Sequence, residues 1–130
     1  MKRSLFFLVL TGLLLASCTE KPHPADLAGE AARQYYLYLV RGNYATFVDG
    51  HFRQDSIPAS YRSQLIDNAK MFMAQQQEEH QGIKEVKKLQ SKADTLHHRA
   101  ETFLQLEYGD HTHAEIVVPM VYVKGNWYLE

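Results

Sequence analysis

Cysteine is almost absent from this chain, since Cys18 is the only one among its 130 residues. A single cysteine cannot form an internal disulfide, and it excludes the paired-cysteine motifs of redox enzymes and of cysteine-rich zinc sites. The sequence also lacks a nucleophile elbow and a phosphate-binding glycine loop. A folded domain of this composition must therefore be held together by its apolar core.

An excess of basic residues is missing as well. The 14 Lys and Arg residues are balanced by 15 Asp and Glu residues, which gives a net charge of −1 at pH 7. A nucleic-acid surface needs a strongly basic face, so we expect no nucleic-acid partner. The apolar run Leu5–Leu15 is shorter than the roughly 20 residues that cross a bilayer.

The N-terminus instead has the three-part layout of a secretory signal peptide. Two basic residues precede the apolar run, and small residues then lead into the cysteine. The motif Leu15-Ala16-Ser17-Cys18 resembles the lipobox of bacterial lipoproteins. That resemblance implies that residues 1–17 are removed and that Cys18 carries a diacylglycerol, usually with a further acyl chain on its new amino group. Two or more chains anchor a protein stably, whereas one holds it only marginally.

This processing would set the boundaries of the mature protein. Residues 18–24 would be the lipidated cysteine and an extended, proline-containing tether, and residues 25–130 would be a single domain. The mature chain would carry 12 basic and 15 acidic residues, a net charge of −3. Thr19, in place of an aspartate, favours the outer membrane under the enterobacterial sorting rule. We therefore expect a lipid-anchored protein of the cell envelope; the alternative is a secreted protein with a free cysteine.

The hydrophobic pattern changes its period along the mature chain. Apolar residues recur at helical spacing in three segments, which begin near residues 24–26, 44 and 56–58. The second of these predicted helices is short and ends near Phe52. After Gly82 the two-residue period of strands dominates. Residues 83–93 fit a helix as well as a strand, and the context favours a strand. Helices followed by strands predict an α+β domain, with the helices on one face of an antiparallel sheet.

Two short motifs connect this pattern with a known family. A Gly-Asn-Tyr joint at residues 42–44 links the first two predicted helices, and a Lys-Gly-Asn-Trp hairpin at residues 124–127 closes the chain. Residues 25–130 resemble small lipoproteins of Gram-negative gut anaerobes that have a nuclear transport factor 2-like (cystatin-like) domain. The resemblance implies a curved, cone-shaped sheet whose mouth is partly covered by helices. Relatives use the cone for isomerase or dehydratase catalysis, ligand binding or protein association, so no single function follows.

Aromatic residues supply the candidate contacts of a binding site. Tyr35 and Tyr61 lie on the first and third predicted helices, and Trp127 follows the last turn. Aromatic residues at helical spacing usually belong to the core, and its size favours a core position for Trp127 too. We treat all three as candidate ligand or partner contacts and expect no catalytic residue.

His111 and His113 are weak candidates for a metal site. Residues two apart on a strand point to one face and could together bind a metal ion. The segment from Gly109 to His113, however, has the composition of an exposed turn, and no third ligand has a recognisable spacing. We therefore expect neither a metal nor another cofactor.

These features predict an envelope protein that is anchored to the membrane by its N-terminal lipid and binds a small ligand or an envelope protein without catalysis. Two alternatives remain open: a cavity enzyme of the isomerase or dehydratase type, and an oligomeric interaction module such as a homodimer. An apolar interior would favour binding, whereas an isolated aspartate facing a tyrosine or histidine would favour catalysis.

Replacing Cys18 tests the anchor. In Cys18→Ala no thiol remains to accept the diacylglycerol, so we expect uncut or soluble protein that incorporates no labelled palmitate. Thr19→Ala keeps the acceptor and should label and float with membranes like the unaltered protein. Labelling and flotation of Cys18→Ala at the unaltered level would overturn the lipobox assignment.

Overall fold

The computed structural model describes residues 21–130, and the predicted signal peptide and Cys18 lie outside the described residues. Three helices come first, followed by five strands, so the predicted α+β class is confirmed. The helices are α1 (Pro24–Val40), α2 (Tyr44–Asp49) and α3 (Ala59–His80). The strands are β1 (Ile83–Lys88), β2 (Lys92–Asp94), β3 (Arg99–Tyr108), β4 (His113–Val123) and β5 (Asn126–Leu129). Within this part of the chain, no helix combines the length and apolar character needed to cross a bilayer.

Proline and glycine set the limits of the helices. Pro24 is the first residue of α1, where the N–H that proline lacks would have no partner within the helix. At the end of α3, Gln81 and Gly82 both adopt positive φ angles, of 62° and 86°. The Gly82 N–H then donates to the Gln76 carbonyl at 3.0 Å, which closes the helix.

The second helix is shorter than the sequence predicts, since it ends at Asp49 instead of near Phe52. The backbone after Gly50 pairs with the end of β5 instead of continuing the helix. The Leu129 N–H donates to the Gly50 carbonyl at 2.9 Å, and the Phe52 N–H donates to the Leu129 carbonyl at 2.7 Å. Tertiary pairing with a strand nearly 80 residues later in the sequence therefore ends this helix.

The strands form one curled antiparallel sheet in the order β1-β3-β4-β5, and β2 pairs with β3 beyond the end of β1. The ambiguous segment 83–93 is thus extended, as its context predicted, but it is divided into two strands by residues 89–91. A bulge between Ile83 and Glu85 interrupts the register of β1 on β3. Both irregularities lie in the segment of the sheet that contacts α1.

The core lies between α1 and the concave face of the sheet. Leu104 and Leu106 of β3 and Met120 of β4 are at most 2% exposed. Ala28 and Ala32 of α1 pack against them, because small side chains allow a helix to approach a sheet closely. The hydroxyl of the buried Thr102, on the same face, donates to the Val118 carbonyl at 2.6 Å, which satisfies its hydrogen-bonding need.

Leu104 of β3 is the core position that best tests the alternation of buried and exposed residues along the central strands. Leu104→Ala should lower the free energy of unfolding by about 2–5 kcal/mol, because it leaves a cavity beneath α1. Val117→Ala, on the opposite face and 57% exposed, should change it by only about 0.5 kcal/mol. Chemical denaturation followed by circular dichroism measures both. Equal losses would show that the two faces are not divided into core and surface.

Candidate functional site

An open cleft lies at the end of the domain where α1 begins and the β4–β5 hairpin turns. Leu27 of α1, Tyr122 of β4 and Trp127 of β5 line both of its lobes, and we call it the aromatic cleft. The smaller lobe measures about 270 Å³ and the larger about 530 Å³. The smaller lobe is completed by Pro24, Thr95 and His98, and the larger by Ala31, Tyr35, Gly125, Asn126 and Tyr128.

The β4–β5 hairpin brings the two central aromatic rings together. Its loop consists of Lys124 and Gly125, with φ angles of 49° and 86°, and two-residue hairpin turns of type I′ require positive φ at both positions. This loop sets the register that places Tyr122 directly opposite Trp127. Their ring centroids are 5.1 Å apart, with the planes inclined at 55°. The aromatic wall thus results from the tight turn.

The β2–β3 turn closes the cleft on the other side of Tyr122. The His98 ring stacks on Tyr122 with the centroids 6.2 Å apart, and the Tyr122 N–H donates to the His98 carbonyl at 2.8 Å. His98 can occupy this corner because its backbone adopts a positive φ of 56°. His98, although it lies in a turn, therefore belongs to the wall of an apolar cleft.

Trp127 is half-buried, which corrects the expectation of a core position. Part of its side chain packs against the core, and the rest faces the cleft. The reason is that β5 is the edge strand of the sheet and α1 begins at its level, so the ring is only partly covered. Neighbouring side chains are open to solvent too, since Leu27 is 47% and Tyr122 is 40% exposed.

Of the three candidate contacts, the fold brings two together. The Tyr35 hydroxyl donates to the Trp127 carbonyl at 3.1 Å, and both residues line the larger lobe. Burial raises the pKa of the Tyr35 phenol, so the hydroxyl stays protonated and able to donate. Tyr61 lies elsewhere: it is 50% exposed in the first turn of α3 and lines neither lobe. The sequence did not predict Leu27 or Tyr122 as residues of the site. Tyr122 could have been found from the pairing of the β4–β5 hairpin, which places it opposite Trp127.

The two metal candidates are not on one strand. His111 lies in the β3–β4 turn with a φ of 68°, and β4 begins only at His113. The i, i+2 geometry considered for a strand therefore does not apply. Among the described residues, no three histidine, cysteine or acidic side chains form a group that could hold a metal ion.

A second pocket of about 530 Å³ adjoins α2, and most of its charged groups are engaged within the protein. Arg53 donates to the Val48 carbonyl at 3.1 Å, and Asp49 pairs with Arg62 at 2.8 Å. The His51 Nδ1 lies 3.2 Å from two backbone carbonyls, which can only accept, so this nitrogen carries the proton. Burial lowers the pKa of His51 and thus favours its neutral form. We therefore take the aromatic cleft as the candidate site.

The Tyr35 hydroxyl links α1 to the β5 wall of the cleft, and its removal tests this link. Tyr35→Phe should lower the free energy of unfolding by about 0.5–1.5 kcal/mol, the usual worth of one hydrogen bond, and shift the emission of Trp127. Tyr61→Phe is the matched control and should change stability by less than about 0.5 kcal/mol. Denaturant titration with tryptophan emission as the signal measures both; equal effects would contradict the role of Tyr35.

Comparison with known proteins places the fold. No family model matches the chain, and no curated protein matches it. A solved structure from Campylobacter jejuni, named as an NTF2-like transpeptidase, superposes with a TM-score of 0.63 and 9% sequence identity. The match covers 77% of this chain and 94% of that chain. At this identity the likeness concerns the fold alone. The helices followed by a curled antiparallel sheet thus have the nuclear transport factor 2-like fold that the sequence resemblance implied.

Proposed function

We propose that this protein is an envelope lipoprotein, anchored through Cys18, whose domain binds a small apolar or amphipathic ligand in the aromatic cleft without catalysing a reaction. The observation that carries the proposal is the convergence of Leu27, Tyr122 and Trp127 around one open cleft. These residues come from three different elements, so only the folded domain assembles them.

The lining of the cleft suits an apolar ring or chain. Ligand sites are typically concave and apolar, with a few polar groups that orient the ligand. Here the apolar walls are Leu27 and the two aromatic rings, and Thr95 and His98 supply polar atoms at one side. Covering the exposed parts of these walls stabilises a complex by about 25 cal/mol for each Å² of apolar surface removed from water.

The charge distribution supports binding over catalysis. Among the described residues, no carboxylate lines either lobe of the cleft, whereas acid–base catalysis in a cavity of this kind would be indicated by an aspartate facing a tyrosine or histidine. The name of the Campylobacter protein refers to transpeptidase activity, but 9% identity carries no catalytic residue over to this chain. The single cysteine of the present chain, Cys18, is the proposed lipid acceptor.

Dye binding tests the cleft, because Trp127 is the only tryptophan of the chain. Anilinonaphthalene sulfonate bound in the cleft should accept energy from Trp127 and saturate at one dye per protein. Tyr122→Ala should weaken this binding about tenfold, since one aromatic contact is worth about 0.5–1.5 kcal/mol and 1.4 kcal/mol is a factor of ten.

Tyr61→Ala is the control, because Tyr61 is similarly exposed and lies outside the cleft. Its dye affinity should equal that of the unaltered protein. Circular dichroism of each variant shows that the fold is retained. If Tyr122→Ala and Tyr61→Ala bind the dye equally well, the aromatic cleft is not the binding site.

A further inference from the structure

The distance between the proposed anchor and the cleft is limited by a short tether. Five residues lie between Cys18 and Pro24, which begins α1 and lines the smaller lobe of the cleft. Even a fully extended chain spans at most about 3.6 Å per residue, hence roughly 20 Å over this stretch. Because Pro24 belongs to the wall, a lipidated Cys18 keeps the cleft close to the membrane surface.

The side chains around the mouth of the cleft have the character of a membrane interface. Leu96 lies in the β2–β3 turn between two residues of the cleft wall and is 81% exposed. It is the most exposed large hydrophobic side chain of the described residues. Tyr122 and Trp127 line the same lobe as Thr95 and His98, and tyrosine and tryptophan prefer the headgroup level, where an apolar ring and a polar group are both accommodated.

The charges at this end are compatible with a lipid surface. Lys21 of the tether and Lys124 of the β4–β5 hairpin are exposed, and each cation near an anionic surface contributes about 1 kcal/mol of attraction. Asp94, beside the β2–β3 turn, is paired with His97 at 2.7 Å. Asp26, in the first turn of α1, and Glu20 of the tether are acidic groups that would need to remain in water.

The opposite end of the sheet has a different composition. The β3–β4 turn consists of Gly109, Asp110, His111 and Thr112, and it holds no large apolar side chain. Hydrogen bonds from Thr112 and contact with His80 lower the pKa of Asp110 to about 2, so this carboxylate is charged at neutral pH. The two ends of the domain thus differ in polarity along the direction of β4.

We infer that the domain rests on the bilayer with the mouth of the aromatic cleft towards the lipid. Leu27, Leu96, Tyr122 and Trp127 lie in the interfacial layer, and the β3–β4 turn points away from the membrane. The inference rests on the proposed lipidation of Cys18. In this orientation, the cleft takes its apolar or amphipathic ligand from the lipid surface.

Brominated lipids test this orientation with the single tryptophan. The mature lipidated protein is reconstituted in vesicles of phosphatidylethanolamine and phosphatidylglycerol, part of which is brominated near the headgroup end of the acyl chains. Interfacial side chains lie about 5–10 Å into the headgroup boundary, within reach of the bromines. Trp127 should therefore lose roughly half or more of its emission relative to vesicles without bromine.

Three variants complete the experiment, one as a test and two as controls. Leu96→Glu should reduce the quenching of Trp127, whereas Met71→Glu, which also replaces an exposed apolar residue but on α3, should not. In a double variant with Trp127→Phe and His113→Trp, the only tryptophan moves nine residues along β4 from the partner of Trp127, about 30 Å at the rise of a strand. Its emission should be unaffected by bromine.

Flotation of the vesicles separates the two levels of the proposal. Protein that fails to float with them would overturn the anchor and, with it, this orientation. Protein that floats but shows no quenching of Trp127, or equal quenching at the two tryptophan positions, would overturn the orientation and leave the anchor intact. Flotation with quenching confined to Trp127, and weakened only by Leu96→Glu, supports it.

Discussion

The close packing of α1 against the concave face of the sheet is the constraint on which the rest of the structure depends. A stripe of small residues, Ala28, Gly29 and Ala32, faces the sheet. A Cβ atom at Gly29 would lie only 2.8 Å from the Ser91 Oγ and 3.0 Å from the Lys88 Cδ, so an alanine there would force these side chains or the helix to shift. Arg33 adds a directional link, because its Nε donates to the Val86 carbonyl at 3.0 Å.

This packing also creates the cleft. Leu27, Ala31 and Tyr35 are spaced by four residues along α1 and form the stripe next to the one that faces the core. Once the small residues are seated on the sheet, these three side chains must face the β4–β5 hairpin. Stability and the geometry of the binding surface therefore have the same origin.

The outer face of the sheet has another character. Phe103 and Val117 lie opposite each other there, and ion pairs between Lys87 and Glu107 and between Arg99 and Glu130 surround them. Exposed ion pairs contribute little to stability, but they keep such a face compatible with water. The homodimer expected as an alternative from the sequence would use this face, and it stays a prediction.

Local chemistry explains what the sequence could predict by itself. Helices α1 and α3, the change of period after Gly82 and the closing hairpin follow from the spacing of apolar residues and from proline and glycine, which act within a few positions of the chain. The lipobox is equally local, so Cys18 could be proposed as the anchor without any structure. Tyr35 and Trp127 could be proposed as contacts because large aromatic residues often line binding sites.

The tertiary structure decided which of these residues meet. Tyr61 and Tyr35 were equally good candidate contacts in the sequence, but only Tyr35 lies on the α1 stripe that faces β5. Helix α2 ends early because its following backbone pairs with Leu129, a partner that no local pattern reveals. Leu27 and His98 join the cleft through the curl of the sheet and the seating of α1. Contacts between distant segments depend on how whole elements pack, and the spacing of residues within one element carries no information about that packing.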